Sequence, residues 1–157
     1  MRLLLIATIG FTLLGGCQSE QVIKQLDCYR KPPGGDLFRY PPTIFNQKTG
    51  QIYRYDSFRE VLQPDNRVYA STPTGEELLV GPTQEILVVN GKIKHRRSYP
   101  NLENANSNNE ELVILDAKTI KTIYDKQDGK DISHQIGSYQ CKWGKPKATI
   151  VAGGTNP

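Results

Sequence analysis

Beyond the first twenty or so residues, apolar side chains recur at every second position in short runs, and Gly, Pro, Asn and Asp separate the runs. Alternation at period two is the signature of half-buried strands. The clearest case is Ile86-Leu87-Val88-Val89, then Asn90-Gly91, then Lys92-Ile93-Lys94-His95. Asn-Gly between two β-prone runs predicts a type I′ hairpin, because both central residues need positive φ. A second hairpin is predicted from Thr43–Asn46 to Gln51–Tyr55, turning at Gln47–Gly50. A third pairs Arg67–Ser71 with Glu77–Val80, and a fourth turns at Asp128-Gly129 between Ile120–Tyr124 and Ile132–Ile136. Ala148–Val151 could add one more strand.

Register is readable near the end of the chain. Ile132, His134 and Ile136 share one face, whereas Tyr139, Cys141 and Trp143 have the opposite parity. A glycine at the slip, Gly137, predicts a β-bulge that keeps one side inward throughout. On that face Cys141 and Trp143 point to the core, and His134 reads as a core or boundary histidine. One short helix is predicted near 58–63, from the S-x-x-E capping box Ser57-Phe58-Arg59-Glu60. The fold class is therefore all-β: an antiparallel sandwich or small barrel of short hairpins, of roughly eight to ten strands. Ile44-Phe45-Asn46-Gln47-Lys48-Thr49 is echoed by Ile114-Leu115-Asp116-Ala117-Lys118-Thr119, which reads as two similar hairpins. Two loops stand apart: Lys31–Pro42, with four prolines and the aromatics Phe38 and Tyr40, and Asn101–Glu110, with five asparagines.

One apolar run does not alternate. Leu3 to Leu14 is almost unbroken, preceded by Arg2 and followed by Gly15-Gly16-Cys17. It is too short for a membrane-spanning helix, which needs roughly 20 residues, and has the layout of a signal peptide. Leu14-Gly15-Gly16-Cys17 resembles the lipobox of bacterial lipoprotein precursors. The resemblance covers only the first 17 residues. It implies cleavage between Gly16 and Cys17, lipid on Cys17, and anchoring by more than one acyl chain. Gln18 stands where an aspartate would imply inner-membrane retention, so the implied address is the outer membrane. The expected organisation is a signal peptide at 1–16, a lipidated cysteine and short tether at 17–27, one β domain at 28–151, and a flexible tail at 152–157. Nine residues between Gln18 and Cys28 reach at most about 30 Å, which keeps the domain near its membrane.

Removing the first 16 residues leaves 141, enough for one modest core. It also leaves 19 Lys and Arg against 16 Asp and Glu, a net +3. That charge is small and dispersed, and argues against nucleic acid. With Cys17 assigned to lipid, Cys28 and Cys141 remain, and in an exported protein an even remainder reads as a disulfide.

Catalytic motifs are missing: there is no G-x-S-x-G, no H-E-x-x-H and no phosphate loop. No cofactor or metal is implied. The run Asp125-Lys126-Gln127-Asp128-Gly129-Lys130-Asp131 has oxygen ligands but not the EF-hand order, and a plain Asp-Gly turn explains it. The basic run Lys92–Arg97 has three readings: an edge strand protected by charge, a face toward anionic lipid headgroups or polymer, or a site for an acidic envelope protein. Phe38, Arg39 and Tyr40, with Lys94, Arg96 and Arg97, form the candidate binding surface, although Phe38 and Tyr40 could simply pack across an open end of the sheet. The expected function is a membrane-anchored envelope lipoprotein acting as a non-enzymatic binding or accessory module. Two alternatives stand beside it: an inhibitor of an envelope-attacking hydrolase such as lysozyme, and an enzyme acting on an envelope polymer. The latter would need two convergent carboxylates, for which Glu60, Glu76, Glu77, Asp116 and Asp128 are available.

Overall fold

The computed structural model describes residues 22–152, apart from 32, 72, 73, 75, 102, 103, 105 and 133–138. The expected cleavage and lipidation site at Gly16 and Cys17, the bulge at Gly137, His134, and tail residues 153–157 lie outside the described residues. Within them the chain is all-β, and its antiparallel sheets pack on one another.

The first sheet has the order β13 (Tyr139–Gly144), β1 (Ile23–Arg30), β3 (Thr43–Asn46), β4 (Ile52–Asp56), β5 (Val61–Pro64). A two-residue strand, β2 (Phe38–Arg39), pairs with the end of β1 ahead of β3. Pro41 and Pro42 lie between β2 and β3, where the missing N–H groups interrupt the ladder. The second sheet runs β12 (Lys130–Asp131), β11 (Thr122–Gln127), β10 (Asn108–Asp116), β9 (Lys92–Pro100), β8 (Thr83–Val89). A third unit is the hairpin of β6 (Val68–Ser71) and β7 (Glu77–Gly81). A bridge between Lys121 and Gln140 joins the two large sheets along one edge. Strand β1 starts at Ile23, five residues ahead of Cys28.

Cys28 and Cys141 are disulfide-bonded. They face each other in the β1–β13 register with a Cα separation of 4.1 Å, the close spacing of a narrow antiparallel pair. The bridge ties the first strand to the last. Trp143, on the same strand, is not core: it is 39% exposed at the sheet edge, tilted toward Phe45.

The two Asx-Gly turns have the conformation their residues demand. Asn90 and Gly91 have φ of 50° and 70°, and Asp128 and Gly129 have 47° and 81°. The fourth hairpin turns where expected, and among the described residues its return strand is Lys130–Asp131; most of the expected strand Ile132–Ile136 lies outside them. Ala148–Val151 contributes a single parallel bridge, Val151 to Leu62, rather than a strand.

The expected helix near 58–63 is absent: Ser57–Glu60 is a turn, and Val61–Pro64 is β5. The Asp56 carboxylate accepts hydrogen bonds from the amides of Phe58 and Arg59, at 2.9 and 3.1 Å. That is how a helix N-terminus begins, but Glu60 then adopts a φ of 54° and the turn stops. Phe58, which a helix would have buried, is 95% exposed. Asn46 and Asp116 accept from the amides two and three residues on in the same way. Gly50 and Ile120 take the matching left-handed position. The two-fold echo in the sequence is thus a three-fold use of one Asx loop.

Leu26, Phe45, Ile52, Ile86, Ile93, Val113 and Leu115 form the core between the sheets. Ile23, Ile44 and Leu62 form a smaller cluster with Ala148 and Val151 from the C-terminal segment. Gly50 approaches so closely that a Cβ there would lie 2.2 Å from the carbonyl oxygen of Ile86, so the β3–β4 turn is seated against strand β8.

Candidate functional site

The inner face of the second sheet changes character along its strands. On β9 the inward positions are Ile93, His95 and Arg97; on β10 they are Leu115, Val113 and Glu111. Register pairs Ile93 with Leu115, His95 with Val113, and Arg97 with Glu111. The opposing strand β1 does likewise, from Leu26 through Cys28 to Arg30. One end of the sandwich is therefore oily and the other ionic.

At the ionic end Arg30, Arg97, Glu111, Asp125 and Tyr139 are all buried. Arg30 Nη2 donates to Glu111 Oε1 at 3.4 Å and to Asp125 Oδ2. Arg97 Nη2 lies 3.0 Å from Glu111 Oε2 and donates to the Tyr139 hydroxyl at 3.4 Å. The Arg97 guanidinium stands 4.3 Å from the centre of the Tyr40 ring. Tyr40 packs edge-on against Tyr139 on one side and Phe38 on the other. Burial pushes the Tyr139 phenol up to about 12, and burial followed by the Glu111 charge does the same to Tyr99. Burial also raises the Asp125 carboxyl, against the pull of Arg30. His95, one layer deeper, is held well below its usual value by burial and then by the Arg97 charge. Its Nε2 meets Gln84 Oε1 at 2.9 Å.

Above this layer opens a cleft of about 1060 Å³. Phe38, Tyr40 and Pro41 line one side, while Val68, Leu79 and Val80 of the β6–β7 hairpin line another. Arg30, Arg97 and Glu111 also line it, and the register and burial above place them at its floor. Gly81 seats the hairpin: a Cβ there would fall 2.5 Å from Ser98 O and 2.7 Å from Tyr99 Cβ, so only glycine lets the two backbones come this close.

The structure divides the six residues of the expected binding surface. Phe38, Tyr40 and Arg97 meet at the cleft. Arg39, next to Phe38 on β2, is exposed and pairs with Tyr29. Lys94 and Arg96 project from the opposite face of the sheet, where Arg96 pairs with Glu85 and Glu110. The edge-strand reading of the basic run is overturned, because β9 lies inside its sheet between β8 and β10. Sequence reasoning missed Glu111, Asp125, Tyr99 and Tyr139. For Glu111 a signal existed: it shares parity with Val113 and Leu115, as Arg97 does with Ile93.

Three of the carboxylates considered for catalysis are engaged apart from one another. Asp116 caps its own loop, Asp128 accepts from the Glu110 amide, and Glu77 pairs with Arg54. Glu111 and Asp125 do meet, but through arginine. In the run considered for calcium, Asp125 turns inward to Arg30 while Asp128 stays in its turn. Among the described residues no three His, Cys, Asp or Glu side chains form a metal-ligand group. No protein-family model, no curated protein and no solved structure matches this chain.

Proposed function

We propose that this protein is a membrane-anchored envelope lipoprotein that acts as a non-enzymatic binding module, with the cleft over Arg30 and Arg97 as its binding site. The observation that carries the reading is the cleft itself: about 1060 Å³, apolar walls, and buried charged groups at one end. Concave sites with mostly apolar walls and a few fixed polar groups are what ligand binding uses. Binding is favoured over hydrolysis by the state of the buried Glu111. Both Glu111 oxygens are engaged by guanidinium groups, which leaves that carboxylate poorly suited to take a proton.

The anchor rests on the lipobox-like Leu14–Cys17. Only five residues separate Cys17 from the start of β1, a reach of at most about 18 Å. The cleft would work beside the membrane surface. Mass spectrometry of the membrane-extracted protein under native conditions tests both parts. The expected species is residues 17–157 plus acyl chains minus two hydrogens, carrying a non-covalent ligand that Leu79→Glu loses. An unacylated chain would remove the anchor. An unchanged ligand load in Leu79→Glu would remove the cleft.

A further inference from the structure

We infer that the end of the domain at which β1 begins docks on anionic lipid headgroups through Lys24, Lys48, Lys92, Lys118 and Lys145. The inference rests on the lipid anchor proposed above and goes beyond it. The lipid holds the chain at a membrane, and these lysines fix which end of the domain meets the headgroups.

Register and hydrogen bonds gather five segments at that end. Ile23, the first residue of β1, pairs with Asn46, and the Gln47 amide donates to the Val22 carbonyl at 2.9 Å. The β3–β4 turn, with Lys48, therefore lies beside the entry of the chain. Gly144 at the end of β13 pairs with Gln25, which brings Lys145 alongside. In the second sheet the Ala117 amide donates to the Gly91 carbonyl at 2.8 Å, and Lys92 pairs with Asp116. The β8–β9 and β10–β11 turns thus carry Lys92 and Lys118 together. The antiparallel bridge between Lys121 and Gln140 relates the two groups. As β13 runs from Gln140 to Gly144, its neighbour runs from Lys121 back to the turn at Asp116–Thr119. Both groups lie at one end of the sandwich, and the cleft over Arg30 lies at the other.

Charge is concentrated at the lysine end. Residues 22–25, 46–51, 89–92, 116–119 and 144–146 hold five lysines and one acid, Asp116. That net +4 exceeds the +3 of the whole chain from Cys17 onward, so the rest of the domain is slightly acidic. Lys48, Lys92, Lys118 and Lys145 are exposed, and Lys24 is half-buried. Every salt bridge among the described residues is made by an arginine, so no carboxylate partner neutralises these lysines there. Asp116 accepts from the amides of its own loop, and Asp65, just beyond β5, is held by two bonds from Arg67. The opposite end mixes signs, with Lys31 and Asp36 in one loop and Asp128 and Lys130 at another turn.

Lysines spread over separate turns and strand ends suit a surface of many anions rather than a single one. Trp143, the penultimate residue of β13, and Val89, next to the Asn90-Gly91 turn, are exposed at the same end. Tryptophan and lysine are both favoured where headgroups meet water. The tether brings the bilayer to this end, since at most about 18 Å of chain separates Cys17 from β1. Near an anionic surface each lysine favours the docked form by about fivefold. Docked this way, the domain turns its cleft outward, at most about 24 Å along β1 from the lysine end.

The test uses the membrane-extracted protein reconstituted into vesicles of neutral phosphatidylcholine, or of phosphatidylcholine in equimolar mixture with anionic phosphatidylglycerol. Both carry a lipid with a nitroxide on its headgroup, which quenches nearby tryptophan. Trp143 is the only tryptophan, so its quenching reports the approach of this end. Quenching should be stronger on the anionic vesicles, and should fall to the neutral level in about 1 M salt, where the screening length is about 3 Å. Lys48→Gln, Lys92→Gln, Lys118→Gln and Lys145→Gln together should keep the native near-UV circular dichroism and abolish the difference. Lys31→Gln with Lys130→Gln, at the opposite end, should preserve it. Equal quenching on the two vesicles overturns the inference, as does a difference that survives the four substitutions. Flotation reads the anchor separately. Protein that floats with neutral vesicles keeps its anchor, whatever the quenching shows. Protein that floats with anionic vesicles alone removes the anchor and supports the docking surface, and protein that floats with neither removes both.

Discussion

Arg97 faces Glu111 directly across the β9–β10 pair, its Nη2 3.0 Å from Oε2, and each side chain is only 7% exposed. Removing one partner of such a pair leaves a bare charge in the interior. Replacing both with apolar groups of similar size does not. Arg97→Met should therefore destabilise by about 3–5 kcal/mol, and Glu111→Leu by a similar amount. The double variant should recover most of that loss. Urea denaturation followed by the fluorescence of the single tryptophan, Trp143, gives the cycle. Additive losses would mean the two side chains do not depend on each other.

The disulfide has its own expected magnitude. Cys28 and Cys141 are 113 residues apart in sequence, so the bridge restricts nearly the whole unfolded domain. On the chain-entropy model that stabilises by about 4–5 kcal/mol. The variant Cys28→Ala with Cys141→Ala should lower the denaturation midpoint by a corresponding amount, with Cys17 left in place. A shift below about 1 kcal/mol would mean that β1 and β13 are held by their ladder alone, or that the reduced chain keeps the same pairing.

The parts of the fold that sequence revealed are those set by local chemistry. Asn90-Gly91 and Asp128-Gly129 demand positive φ and so announce their turns, and with Cys17 set aside for the expected lipid, Cys28 and Cys141 were left as a pair. The helix expected at 58–63 from Ser57-x-x-Glu60 does not form, because Asp56, one residue ahead of Ser57, takes the amides of Phe58 and Arg59 in an Asx loop. Helix and Asx loop part only at Glu60, whose left-handed backbone no residue type there signals. The basic run was misplaced for a different reason: whether a strand is central or edge depends on neighbours, and β10 lies beyond an intervening loop. Parity, however, was on the page. Ile93 marks the inward face, and His95 and Arg97 follow it. The floor of the cleft was not legible, since Arg30 meets Glu111 and Asp125 across 81 and 95 residues.

Gly50 and its turn give a backbone test. The residue has a φ of 74°, and a Cβ would sit 2.2 Å from the carbonyl oxygen of Ile86. Left-handed backbone alone costs a residue with a side chain about 1–2 kcal/mol, and the clash with main-chain atoms adds to it. Gly50→Ala should lose at least about 2 kcal/mol of stability. Gly91→Ala is the control, because its φ is 70° but nothing lies within 4 Å of the added carbon. It should lose only the conformational part. Equal losses would show that the contact with β8 yields freely.

His95 predicts how stability follows acidity. Burial, then the charge of Arg97, holds its folded-state value well below 6.5. The unfolded chain therefore binds a proton at His95 in a pH range where the folded chain does not. The associated stability is fully present above about pH 6.5 and is lost as pH falls toward the folded value, by about 1.4 kcal/mol per unit. Asp125, whose carboxyl burial raises, acts with the opposite sign. Between its unfolded and folded values it binds more protons folded than unfolded, so its contribution falls as pH rises. His95→Gln keeps Asp125 and removes only the imidazole, so comparing the two proteins isolates the histidine. Unfolding free energies measured between pH 7.5 and 5.5 should fall more steeply in the native protein, by about one proton. Parallel curves would mean that His95 is protonated in the folded state, and the hydrogen bond to Gln84 Oε1 would then be that of a charged imidazolium donor.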